Sequence, residues 1–371
     1  KITMKKTILS FLILLTVSLS CDNNESIEVG PTYDRESLLE NWYNQHINIG
    51  LSDFKNKVEM VGEMVDLLNN EKTLSSLTKL REEHLKAWKA WQKIEMFNIG
   101  KAEEIYYKEK MNIYPVNTAR IEANVLSGSY DLANDANNYA AQGFPTLDYL
   151  LYGIGSTDEE ILSKYTADNT YLNYLKAVSD EMTNNTEKVV NDWETYKNEF
   201  TSSTDNTATS AVNLMVNDFI FYYEKGFRAN KFGIPGGVFS STPLPEKVED
   251  YYSRSNSRTL SLEAFDAIQA FYEGKNLSTG TSYSGASLKS IITELDTKEG
   301  NDNLGNKISD KLKAAREKIV ILDQNFVDQI QSDNNTFLQT YDAIQEVVVL
   351  LKVDMLQFLS INVDYVDADG D

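Results

Sequence analysis

Apolar residues recur along most of the chain at steps of three and four, the period of a helix with one buried face. Phe54, Val58, Val61, Val65 and Leu68 form one stripe, and Leu77, Leu80, His84, Ala87, Trp91 and Ile94 the next. Tyr171, Leu175, Val178 and Met182 continue through Val189, Trp193, Tyr196 and Phe200. Later come Ile308, Leu312, Ala315, Ile319, Leu322 and Phe326, then Phe337, Tyr341, Ile344, Val348, Leu351, Met355 and Phe358. The six prolines (Pro31, Pro115, Pro145, Pro235, Pro243 and Pro245) all fall outside these stripes, where a ring would cost ~3 kcal/mol. No long run alternates with period two, so the pattern predicts an all-α fold.

Residues 201–209 are polar and lack periodicity, which makes them the best linker. The chain then divides into a front helical bundle over 36–205 and a rear one over 206–371, although no fixed-period repeat relates them. With 42% apolar residues, 21 Tyr and 15 Phe, the 371 residues suffice for two cores.

The amino end reads differently. Lys1-Ile2-Thr3 looks like sequence upstream of a start at Met4. From there Lys5 and Lys6 precede an apolar segment from Ile8 to Leu19, long enough for a signal-peptide core and too short to span a bilayer. Ser18-Leu19-Ser20 then leads to Cys21, the chain's single cysteine. A cysteine directly after small residues is the pattern of a lipoprotein cleavage site, its thiol receiving a lipid and becoming the new amino terminus. Residues 1–20 are thus expected to be removed, with 21–35 left as a lipidated, polar tether on the periplasmic face or cell surface of a Gram-negative bacterium. Removing residues 1–20, which carry three lysines and no acid, takes the net charge from −21 to −24. A chain so acidic repels nucleic-acid phosphates and attracts cations.

Four segments carry a family resemblance through their order and spacing. They are Ala87-Trp88-Lys89-Ala90-Trp91 with Glu95; Ile113-Tyr114-Pro115-Val116 with Arg120; the run from Gly143 to Gly153; and Lys231-Phe232-Gly233-Ile234-Pro235-Gly236, followed by Glu249 and Tyr252-Ser253-Arg254-Ser255. Together they resemble imelysin-like proteins over nearly all of the mature chain. That resemblance implies two helical bundles packed side by side with a functional cleft between them. The family includes proteins described as insulin-cleaving peptidases, iron-regulated proteins and periplasmic iron-uptake components. Its peptidase label rests on a Gly-x-His-x-x-Glu motif, whose imidazole and carboxylate share one helical face.

Here that motif aligns as Gly143-Phe144-Pro145-Thr146-Leu147-Asp148. Proline has no lone pair for a metal and no proton for a substrate. Three readings of Pro145 and Asp148 follow: a capped helix start, a retained ligand cleft using Asp148, and, least favoured, a catalytic zinc site, which would want three protein ligands. His84 lies on an apolar stripe and reads as a core residue, with a place at the cleft as the alternative; His46 reads as surface or packing. No His-Glu-x-x-His motif is present, which excludes a thermolysin-like peptidase.

An oxygen-donor site for ferric iron or another hard cation would draw on Glu95, Tyr114, Asp148, Glu224 and Tyr252, with Asp148, Glu95 and Glu224 as the metal candidates. Glu224 and Arg228 stand four apart and also read as a helix salt bridge. Arg120, Arg228 and Lys231 are the cations that would receive an anionic iron chelate. Ser253, Ser255 and Ser257 lack a matched base for a nucleophile and suit the capping of a helix starting near Ser261. Residues 367–371 open like a calcium loop but stop short of its closing acid. The expected protein is an envelope-anchored monomer that binds iron or an iron chelate in a cleft holding Gly143, Pro145, Asp148 and Ser253. The alternatives are a divergent metallopeptidase and an interaction module for a membrane transporter.

Overall fold

The computed structural model describes residues 32–299 and 303–364. Cys21, the signal segment and the calcium-like ending lie outside the described residues. The front part holds α1 (Arg35–Trp42), α2 (Asn48–Glu71), α3 (Leu74–Ile94), α4 (Lys101–Glu104), α5 (Tyr107–Met111), α6 (Thr118–Ser127), α7 (Gly143–Asp148), α8 (Asp158–Ala167) and α9 (Thr170–Ser202). The rear part holds α10 (Ala211–Phe221), α11 (Ile234–Gly236), α12 (Ser257–Glu273), α13 (Leu288–Glu299), α14 (Leu304–Val320), α15 (Phe326–Val349) and α16 (Leu356–Leu359). Among the described residues there is one isolated β-bridge, Lys275 to Ser282, and no strand. The all-α expectation is met.

The stripes explain the packing. Phe54, Val58, Val61, Val65 and Leu68 of α2 are buried where it lies between α3 and α9. Ile308, Leu312, Ala315 and Ile319 turn α14 towards α15 and α12. Caps fix where helices begin: the Thr73 hydroxyl accepts the Ser76 N–H at the head of α3, and Asn325 accepts from Val327 and Asp328 at the head of α15. Of the stretch 201–209, Thr201 and Ser202 end α9 and the rest belongs to the non-helical step to α10. Beyond it, α12 packs along α3, and the buried apolar side chains of both parts join into one continuous cluster.

Apolar spacing gives no sign of the π-type turns. Helical backbone widens to that form at Tyr43–Ile47, Tyr149–Gly153, Tyr222–Gly233 and Leu350–Met355. Such widenings concentrate where side chains must be re-aimed, often at functional sites. The second directly follows Asp148, and the third carries Tyr222, Glu224, Arg228 and Lys231.

Candidate functional site

The site is built around α7. Gly143 opens it at φ +77°, and a β-carbon there would lie 2.2 Å from the Met111 carbonyl oxygen, so only glycine fits. Pro145 takes the first turn, where its missing N–H costs nothing. Asp148 ends the helix with only 1% of its surface exposed. Its Oδ2 accepts the Tyr252 N–H at 2.9 Å and its Oδ1 the Ser253 N–H at 3.1 Å. A front-part carboxylate thus grips the main chain of a rear-part turn more than a hundred residues away.

That turn is organised by a second acid. Asp250 is 3% exposed and adopts φ +66°. Its carboxylate accepts the Ser253 hydroxyl, the Ser255 N–H at 2.9 Å and the Asn256 N–H at 2.6 Å. The Ser253 hydroxyl is thus engaged in holding the turn. Helix α12 begins at Ser257, four residues before the expected Ser261, and no serine side chain caps it.

Between these elements lies a pocket of about 200 Å³ walled by Tyr114, Pro145, Tyr251 and Tyr252, with Asp148 and Asp250 also lining it and the exposed Glu246 beside them. The Tyr252 wall is braced by the Tyr149 ring, 5.0 Å away between centroids and edge-on. Tyr149 and Tyr171 both donate to the Glu122 carboxylate at 2.6 Å. Gly153 lets Tyr252 in, since a β-carbon would stand 2.5 Å from its ring. Burial and then the neighbouring Asp250 push the Asp148 carboxyl well above the usual carboxylate range, while the Tyr252 and Ser253 N–H groups pull it back. Burial holds Tyr114 well above 10 and Tyr252 at about 12, so both stay neutral phenols at physiological pH.

Behind Tyr114 lies a separate buried network. Lys231 donates to Gln92 Oε1 at 2.7 Å and to the Glu249 carboxylate. Asn112 Nδ2 bridges Glu95 at 3.0 Å and Glu249 at 2.8 Å. Tyr222 donates to Glu95 at 3.2 Å, and Trp88 donates to Asn112 at 3.1 Å. Burial raises the Glu95 carboxyl, partly offset by Lys231.

The structure gathers some of the sequence candidates and disperses others. Tyr114, Pro145, Asp148 and Tyr252 meet at the pocket, while Glu95 and Lys231 sit in the network behind it. Glu224 and Arg228 lie apart, in a buried cluster where Glu224 faces Arg228, Lys225 and Lys352, and Arg228 donates to Tyr341 at 2.7 Å. Arg120, half-buried on α6, pairs with Asp135 at 2.8 Å and Asn138 at 3.0 Å. No basic side chain lines the pocket, so the three cations do not form the anion receptor the sequence suggested. Asp148, Glu95 and Glu224 likewise do not converge. Among the described residues no three His, Cys, Asp or Glu side chains are placed to hold a metal ion. The two pocket carboxylates are already engaged by N–H and hydroxyl donors, so the residues present do not fit a resident catalytic metal.

Both histidines are in the core. His84 packs against Trp88 and Phe144, its Nε2 lies 3.2 Å from the Phe144 carbonyl, and burial lowers it to about 4. His46 is fully buried against Phe271 and Tyr283. Sequence reasoning missed Asp250, Tyr251 and Glu122, and it used Glu249 only as a marker of resemblance. The adjacent acids 249–250 before two tyrosines were the available signal.

The comparisons agree with this architecture. A family model described as imelysin, peptidase family M75, matches residues 50–353. A crystal structure of an imelysin-like protein from Psychrobacter arcticum 273-4 superposes with a TM-score of 0.67 at 18% identity, covering 91% of this chain and 100% of that one. A structure described as an iron-regulated protein A precursor, from Parabacteroides distasonis ATCC 8503, gives 0.74 at 18% identity, covering 90% and 97%. No curated protein matches. No helix among the described residues is long and apolar enough to cross a membrane. With the family model spanning most of its length, on a fold shared with these structures, the chain belongs to the imelysin family.

Proposed function

We propose that this protein is a non-catalytic binding component of the bacterial cell envelope, anchored through Cys21, that takes an iron-linked ligand in the pocket formed by Tyr114, Pro145, Asp148 and Tyr252. One observation carries the reading. The motif region keeps an open pocket but offers no free catalytic group, because Pro145 stands in the histidine position and Asp148 is engaged by two main-chain N–H groups. A pocket with convergent polar groups is the default place for a small ligand. The iron link comes from the resemblance and from the description of the Parabacteroides relative.

The mature chain is the material to test. Isothermal titration with ferric salts, ferric chelates and haem should give a binder at micromolar concentration, and Tyr252→Ala should weaken it at least about tenfold. Absence of heat with all of them, or binding untouched by Tyr252→Ala, counts against the reading. A docking role towards a membrane transporter would instead show as partner capture that survives the same substitution.

A further inference from the structure

The pocket's charge is one-sided. Asp148 and Asp250 line it, Glu246 stands beside them, and every other lining residue is uncharged. Two other buried acids have cations: Lys231 faces Glu249, and Arg228, Lys225 and Lys352 face Glu224; Asp296, held by the Gly305 N–H, does not, but it lines no pocket with aromatic walls. The walls are equally distinctive. Tyr114, Tyr251 and Tyr252 bring aromatic rings to a pocket that also holds Pro115, Pro145 and Val248. Tyr114 is half-buried in that wall.

Rings with acids nearby attract cations, because the ring face is negative and desolvation strengthens the attraction. The protein already uses its tyrosines this way around the pocket. The Arg254 guanidinium lies 5.2 Å from the Tyr251 centroid, and that of Arg81 lies 4.3 Å from the Tyr152 centroid. An anion would face acids with no basic residue in the lining, the nearest named cation, Arg254, standing outside it against the Tyr251 ring.

Building on the reading of this pocket as the ligand site, we propose that it recognises a positively charged organic group, an ammonium or guanidinium, seated between Tyr114, Tyr251 and Tyr252 over the Asp148–Asp250 pair. An iron-carrying ligand would then enter by a cationic edge and not by a carboxylate. No bond is made or broken; the cation supplies the missing countercharge.

Tetramethylammonium and N-acetyl-arginine amide are the cationic probes. N-acetyl-norleucine amide is the neutral control and citrate the anionic one. Each is titrated into the full mature protein carrying ring-labelled tyrosine, with Tyr114, Tyr251 and Tyr252 assigned through single Tyr→Phe variants. Both cations should shift those three signals and the controls should not. Tyr252→Leu should weaken the cations about tenfold or more. Glu246→Gln, on an exposed residue outside the core, should weaken them about two- to fivefold without affecting folding. If the neutral or anionic control shifts the same signals as strongly, the charge preference is wrong while the pocket survives as a ligand site. If the cations bind and leave the three tyrosines unmoved, this inference fails. If an iron-linked ligand also binds without moving them, the proposed function's site fails as well.

Discussion

Two acid-rich regions lie back to back where the front and rear parts meet, and they are satisfied in different ways. Around Lys231, the carboxylates of Glu249 and Glu95 have a cation, two side-chain amides and a phenol. Around the pocket, Asp148 and Asp250 have only N–H and hydroxyl donors. The first arrangement is complete in itself and belongs to the architecture. The second leaves acids without a cation in the lining of a pocket, where the proposed ligand would supply one.

Breaking the complete region should cost most. Lys231→Met leaves Glu249 and Glu95 buried without their cation and should destabilise the protein by about 3–5 kcal/mol in urea unfolding. Adding Glu249→Gln should recover part of that loss, and a double variant no more stable than Lys231→Met would show the pair to be uncoupled. Asp148→Ala should cost less, about 1–3 kcal/mol in all, because the two N–H groups it strands are only part-buried. Because Asp148 is structural in this account, cleavage of an unfolded protein substrate should be absent in the parent chain, with or without a chelator. Chelator-sensitive cleavage abolished by Asp148→Asn would restore the metallopeptidase alternative.

A third acid sharpens the contrast through pH. Asp218 lines a groove with Glu103, Lys108 and Asp364, and burial together with Glu103 pushes its carboxyl up to about 8. Since its folded pKa lies above the unfolded value, the folded state holds the proton more tightly. Its contribution is present at low pH and is lost as pH rises from about 4 towards 8. Asp218→Asn should therefore flatten the decline and raise the melting temperature at pH 8 by a few degrees, about 1 kcal/mol. An unchanged pH profile would mean that water or Lys108 already neutralises the group. Smallest of all, Arg120→Ala removes a half-exposed pair with Asp135 and should cost under about 1 kcal/mol without altering ligand binding.

The fold was largely legible in the sequence. The quoted apolar stripes became helix faces turned inwards, because burying one stripe per helix is the dominant favourable term and it writes itself in the 3.6-residue period; the stripe from Ile308 to Phe326 is the exception, broken after Val320 so that Leu322 lies in the loop and Phe326 opens α15. The candidate site was legible only in part. Pro145, Asp148, Tyr114 and Tyr252 were found through their place in the family pattern. Asp250 and Tyr251 were not, because the 249–256 turn has no period, and its shape depends on hydrogen bonds to α7 across more than a hundred residues. For the same reason Arg120 and Arg228, near the motifs in sequence, have partners elsewhere. The π-type turns that aim Tyr222 and Lys231 inwards lack an apolar signature as well.

The most direct measurement is calorimetric titration of the mature protein with two ferric chelates of similar size, one of net positive and one of net negative charge. The account predicts that the positive chelate binds, that Tyr252→Ala weakens it at least about tenfold, and that the negative one does not bind. Preference for the negative chelate, or a positive one held equally well by the Tyr252→Ala variant, would contradict it.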